Sequence, residues 1–175
     1  MNYKKFKVVG LQRSGTNWIA ALISKNFVVQ EDLTTTFWKH LTPMGVKNTQ
    51  ECSEPFYQLE NFVIRPDTFY VATKKNFQLW TESIKRKPMD THRTHIGSLD
   101  QIHDSWCGWA KDQSSQENFF YKDYLEWLDC WPEYLAQIHS ITMWPRKDQQ
   151  YSNVSKVYLS DKFNIEHYQR NKNEF

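Results

Sequence analysis

Residues 7–23 set a short apolar strand, a loop with glycines five positions apart and an apolar helix in direct succession. Phe6, Val8 and Val9 lead into Gly10, a strand closed by a turn signal. Beyond Gly15, Trp18-Ile19-Ala20-Ala21-Leu22-Ile23 carries apolar residues at helical spacing, with Thr16 or Asn17 available as its amino-terminal cap. A loop of this kind can wrap backbone N–H groups around an oxyanion, while the helix adds the positive end of its dipole. Arg13 supplies a planar cation able to grip an oxyanion bidentately, and Ser14 and Thr16 supply hydroxyl donors. The expectation is a site for a phosphate-bearing nucleotide. The plain alternative, a turn that merely needs a glycine, leaves Arg, Ser, Thr and Gly together hard to explain as packing.

Downstream, Phe27-Val28-Val29 reads as a second strand, and residues 47–60 are polar and aperiodic, which reads as a loop or insertion. Residues 68–73 are β-branched and aromatic and form the clearest later strand. Residues 77–85 read as a helix, 85–94 as a basic, proline-marked loop, and 99–110 as a helix. A further helix is expected over 122–138, where Pro132 must kink it or start a new one. Strand and helix alternate after an anion loop, which implies a three-layer α/β/α fold on a central parallel sheet.

A length of 175 residues suits one domain, 1–175, with its core over about 7–138 and a polar tail over about 150–175, anchored by Tyr158, Phe163 and Tyr168. Eight Trp, nine Tyr and eleven Phe offset a modest aliphatic content. The net charge of +2 argues against a broad nucleic-acid surface but permits a local basic pocket. Cys52, Cys107 and Cys130 are too few and too scattered for a disulfide framework or a zinc site. No stretch approaches the roughly 20 apolar residues of a membrane span, and no signal-peptide segment is visible. The expectation is a soluble, cytoplasmic chain with no membrane partner.

The loop approaches the nucleotide-triphosphatase pattern G-x-x-x-x-G-K-[ST] but carries Thr16 at the lysine position and Asn17 after it. The usual phosphate lysine and magnesium-binding hydroxyl are both displaced. Gly10-Leu11-Gln12-Arg13-Ser14-Gly15-Thr16-Asn17-Trp18 instead resembles the 5′-phosphosulfate loop of sulfotransferases, [KR]-S-G-T-[TN]-[WL]. Those enzymes use 3′-phosphoadenosine 5′-phosphosulfate (PAPS) and release adenosine 3′,5′-bisphosphate. By that resemblance Arg13, Ser14, Gly15, Thr16 and Asn17 surround the phosphosulfate, and Trp18 matches a position that packs on adenine in some members.

Two further segments carry the resemblance. Lys75-Asn76-Phe77-Gln78-Leu79-Trp80-Thr81-Glu82-Ser83 is similar to the family's 3′-phosphate segment K-[ND]-P-x-x-W-x-x-S, with Phe77 in place of proline. A cation at a strand's carboxyl end and a hydroxyl on the next helix can grip one phosphate from two sides. Trp38-Lys39-His40-Leu41-Thr42-Pro43 is similar to the catalytic W-K-H-x-x-P segment. There the resemblance makes His40 the general base, with Lys39 and Arg13 stabilising charge on the sulfuryl group and the oxygen it leaves.

Asn118-Phe119-Phe120-Tyr121-Lys122-Asp123-Tyr124-Leu125 resembles a strand and Y-x-D-[LY]-L segment of the same family and reads as core packing. His92, Arg93, His95 and His103 lack the carboxylate spacing of a metal site and read as solvated loop residues. Arg65, Arg86 and Arg93 are open to contact with a nucleotide or an anionic acceptor. The resemblance implies PAPS as donor, no metal, and a carbohydrate, small alcohol or phenol as acceptor. The rivals are a nucleoside or nucleotide kinase with an eroded loop and a nucleotide-binding module without turnover.

Overall fold

The computed structural model describes residues 3–32, 40, 42–43, 46–48, 55–57, 64–86 and 93–154, with backbone alone at 46–48, 55–57 and 93–95. Its centre is a parallel sheet of β1 (Lys5–Val9), β2 (Gln30–Glu31), β5 (Thr68–Lys74) and β7 (Phe119–Asp123), in the order β2-β1-β5-β7. β1 pairs with β5 from Lys5↔Thr68 to Val9↔Ala72, and β5 with β7 from Tyr70↔Phe119 to Lys74↔Asp123. Between β2 and β5 lie β3 (Val46–Asn48) and β4 (Pro55–Tyr57), which form a separate antiparallel sheet with β6 (Arg93–His95) in the order β4-β3-β6.

Helices cover both faces of the parallel sheet, so its central strands β1 and β5 are buried on both sides and alternate between two apolar layers. Phe6 and Val8 of β1 and Phe69 and Val71 of β5 meet Ile19, Leu22 and Ile23 of α1 (Thr16–Asn26) and Trp127, Leu135 and Ile138 of α4 (Tyr124–Thr142). Val9, Tyr70 and Ala72 point the other way, against Trp80 of α2 (Phe77–Arg86) and Ile102, Trp106 and Ala110 of α3 (Leu99–Gln113). Each fully buried large apolar side chain contributes roughly 1.5–3 kcal/mol. The result is the three-layer α/β/α arrangement on a parallel sheet.

Several expectations change. The second strand is Gln30–Glu31; Phe27 makes only an isolated bridge to Arg146. Fully buried, Phe27 packs its ring against His139, Trp144 and Tyr151, which makes it a core anchor rather than part of the sheet. The stretches read as loops at 47–60 and 85–94 contain parts of β3, β4 and β6, three-residue strands too short to show a period. The first helix is capped by Gly15 in the left-handed region with no side-chain cap, not by Thr16 or Asn17. The last helix starts at Tyr124, after Asp123 accepts a bond from Leu125 N, and breaks helical geometry at Cys130, two residues before Pro132. Packing runs past residue 138, through Trp144, whose indole donates to Tyr3 O at 2.6 Å, to buried Val154. Tyr158, Phe163 and Tyr168 lie outside the described residues.

From β1 the chain turns to β2 on one side, and from β5 to β7 on the other. The carboxyl ends of β1 and β5 therefore flank the switch point, the crevice where open α/β sheets bind ligands.

Candidate functional site

The loop after β1 occupies one side of that crevice, and its backbone leaves little room for change. A Cβ at Gly10 would lie 2.6 Å from Ser14 Oγ and 2.7 Å from Thr73 O. Gly15 has φ 90°, and a Cβ there would run into the Tyr124 ring. Arg13 takes the left-handed region with φ 68°, a strained choice for a residue with a side chain. Ser14 is buried, and its hydroxyl donates to Leu11 O at 2.5 Å, so it shapes the loop before it can serve a ligand. Thr16 is buried as well. Trp80, fully buried in α2, donates its indole N–H to Gln12 O at 2.8 Å and ties the loop to the opposite layer. The uncapped helix start at Gly15 and Thr16 aims backbone N–H groups out of this loop.

His40 reaches the same loop across thirty residues, with Nδ1 2.6 Å from Gly10 O. A carbonyl can only accept, so Nδ1 carries the proton in this bond. Trp38 and Lys39 lie outside the described residues.

On the other side of the crevice, Lys75 Nζ donates to Ser83 Oγ at 3.2 Å, and Ser83 donates in turn to Leu79 O at 2.8 Å. Asn76 caps α2 by accepting from Leu79 N at 2.9 Å, which starts the helix so that Ser83 rises beneath Lys75. The Lys75 ammonium also lies over the Tyr124 ring, 4.7 Å from its centroid. Tyr124 thus touches both halves, walling Gly15 on one side and Lys75 on the other, with Trp18 edge-on at 6.1 Å. Burial raises the Tyr124 pKa, keeping it a neutral wall.

Trp18 is buried in the α1–α4 layer, and its indole donates to Val154 O at 3.1 Å. It offers little ring face to an adenine. An open cavity of about 460 Å³ is lined by Lys74, Tyr121, Lys122, Asp123, Leu125 and Glu126 at the ends of β5 and β7 and the start of α4.

His103 is not a solvated loop residue. It lies in α3, 9% exposed, with Nε2 2.8 Å from Lys75 O. Its pKa is pushed up to about 8, first by the hydrogen bond with Cys107, with further help from the Lys75 carbonyl and Asp104 against desolvation. Its sequence signal was position: it neighbours Ile102 and precedes Trp106 by three on the inward face of α3. Arg65 pairs with buried Asp32 at 3.8 Å. Arg86 is exposed at the end of α2, the side chains of Arg93 and His95 are not described, and His92 lies outside the described residues. Cys107 and Cys130 are free thiols. Among the described residues, no group of three or more His, Cys, Asp or Glu is placed to hold a metal ion, and no helix is long and apolar enough to cross a membrane.

No protein-family model matches this chain, and no curated protein matches it. Among solved structures, it is similar to the mouse sulfotransferase SULT7A1 complexed with PAP, at a TM-score of 0.45 and 12% identity over 92% of this chain. It spans 63% of that protein's length.

Proposed function

We propose that this chain is a sulfotransferase that moves a sulfuryl group from PAPS to an acceptor hydroxyl. The observation that carries the reading is the Lys75–Ser83 pair, set at 3.2 Å across Tyr124 from a glycine loop that cannot hold a side chain at Gly10 or Gly15. Two oxyanion grips at one crevice suit a nucleotide with phosphate groups at both ends of its ribose better than a triphosphate chain. The donor fits this set: the loop is a cradle that a Cβ would fill, the helix start lacks a side-chain cap, and a cation–hydroxyl pair stands beside them.

In this reading Arg13, Ser14, Gly15, Thr16 and Asn17 form the 5′ side of the site with Trp18 packed behind them, and Lys75 and Ser83 bind the 3′-phosphate. The rest of the nucleoside is assigned in this reading to the open cavity lined by Lys74 and Tyr121. PAPS supplies a sulfuryl group on a phosphate leaving group. His40 takes the proton of the acceptor hydroxyl at Nε2, the tautomer favoured by its bond to Gly10 O. Arg13 and Lys39 offset negative charge on the transferring group and the departing oxygen, so no metal is required. The acceptor is a carbohydrate hydroxyl first, a small alcohol or phenol second. Two free thiols fit a reducing cytoplasmic setting.

The test is transfer of radiolabelled sulfate from PAPS to a panel of oligosaccharides, alcohols and phenols, without metal and with excess chelator. Labelled product that vanishes in His40→Ala supports the assignment. Bisphosphate binding without transfer to any acceptor class would instead favour the nucleotide-binding module without turnover.

A further inference from the structure

The corner that carries Lys75 belongs to no regular element. Sheet pairing ends one residue earlier, at Lys74↔Asp123, and α2 begins two residues later, at Phe77. A lysine on such a corner has two more backbone torsions to settle than one inside a strand, and its carbonyl lies beyond the last rung of the sheet. His103 supplies the partner for that carbonyl, with Nε2 at 2.8 Å from Lys75 O. The carbonyl accepts, so Nε2 carries the proton. Two rings pack against the imidazole, Phe77 edge-on at 5.5 Å and Trp80 tilted at 5.6 Å. Nδ1 lies 3.7 Å from Asp104 Oδ1, and Cys107 Sγ stands 3.8 Å from Nδ1 and 3.9 Å from Nε2, beyond the much shorter bond to Lys75 O. A buried imidazole with this little exposure needs its N–H satisfied, and the bond it makes lands on the residue that grips Ser83.

We propose that His103 is a positioning residue for the 3′-phosphate grip, holding the Lys75 corner so that the ammonium stands over Ser83 and Tyr124. The inference rests on the nucleotide reading above and adds to it a residue that touches neither donor nor acceptor. Trp80 makes the same device work on the other grip, since its indole holds Gln12 O while its ring backs His103. One buried aromatic pair, His103 and Trp80, therefore braces both sides of the crevice from the α2–α3 layer.

The consequence is specific to one phosphate. Calorimetry with adenosine 3′,5′-bisphosphate and with adenosine 5′-monophosphate separates the 3′-phosphate increment from the rest of the nucleotide. His103→Leu keeps the volume but removes the donor, and it should shrink the ratio of the two affinities about tenfold, the scale of one hydrogen bond's positional worth, with monophosphate binding little changed. His103→Gln places an amide N–H near the Nε2 position and should restore most of the ratio. Should His103→Leu not fold, His103→Asn, whose carboxamide stops short of the Lys75 carbonyl, reads the same loss. Equal weakening of both nucleotides, an unchanged ratio, or no rescue by Gln would overturn the positioning role while leaving the wild-type preference for the bisphosphate standing. Wild-type protein that binds the bisphosphate no better than the monophosphate would overturn the nucleotide reading and this inference with it.

Discussion

The two sides of the crevice solve one problem by different physics. The loop at Gly10–Gly15 is built from backbone: two glycines that admit no Cβ, a left-handed Arg13 and a helix start with no side-chain cap. The Lys75–Ser83 side is built from side chains, a lysine at the end of a strand, a serine on the next helix and a tyrosine ring between grips. A backbone grip is rigid and fails through the fold. A side-chain grip can be truncated while the fold survives.

The largest effect should come at the residue hung on the loop. His40→Ala is expected to lower sulfuryl transfer by about 10²–10⁴-fold while bisphosphate affinity changes little, because a general base acts on the acceptor and not on nucleotide binding. Turnover and calorimetry on one preparation check both halves of that statement. Next comes the loop. Gly15→Ala forces a Cβ into the Tyr124 ring at φ 90°, and strain of this kind costs roughly 1–3 kcal/mol. Thermal melting should fall by several degrees and nucleotide binding should be lost together with it. Lys75→Ala should instead weaken the bisphosphate by about 10- to 100-fold, the range of a charge-assisted hydrogen bond, with an unchanged melting temperature. A melting loss as large as that of Gly15→Ala would erase the contrast between the two grips.

The smallest effect sharpens the side-chain half. His103 titrates near 8 because its bond with Cys107, first among the causes, favours the imidazolium. Cys107→Ala should move that pKa down toward the ordinary value near 6.5, followed by the imidazole NMR shift across a pH series. The sign for stability follows from the raised folded pKa. The contribution is fully present below about pH 6.5 and is lost as pH rises through about 8.

Most of the architecture was legible because long elements have periods. Trp18 to Ile23 and the α3 repeat Ile102, Trp106 and Ala110 follow helical spacing, while Thr68 to Thr73 is a continuous β-branched and aromatic run buried on both faces. The three-residue strands β3, β4 and β6 have no period to read, and β3 finds its partner β6 far along the chain, pairing Val46 with His95 and Asn48 with Arg93. Phe27 misleads for a related reason: a buried aromatic after a helix looks like a strand start, yet its ring is held by Trp144 and Tyr151 from the far end of the chain. In the site, Arg13 stood out by its place in the glycine loop, whereas His40, Lys75 and Ser83 were named through the resemblance of short motifs to a family. The supports were hidden. Tyr124 read as core packing and His103 as a solvated residue, because what they hold, a lysine ammonium and a lysine carbonyl, is reached only through the fold.

The central claim is that two separate oxyanion grips face one crevice. Calorimetric titration with adenosine 3′,5′-bisphosphate, and separately with ATP and magnesium, tests it most directly. Micromolar bisphosphate binding that weakens in both Arg13→Ala and Lys75→Ala is the result this account requires. Silence toward the bisphosphate with clear magnesium-dependent ATP binding would contradict it and put a nucleoside or nucleotide kinase in its place.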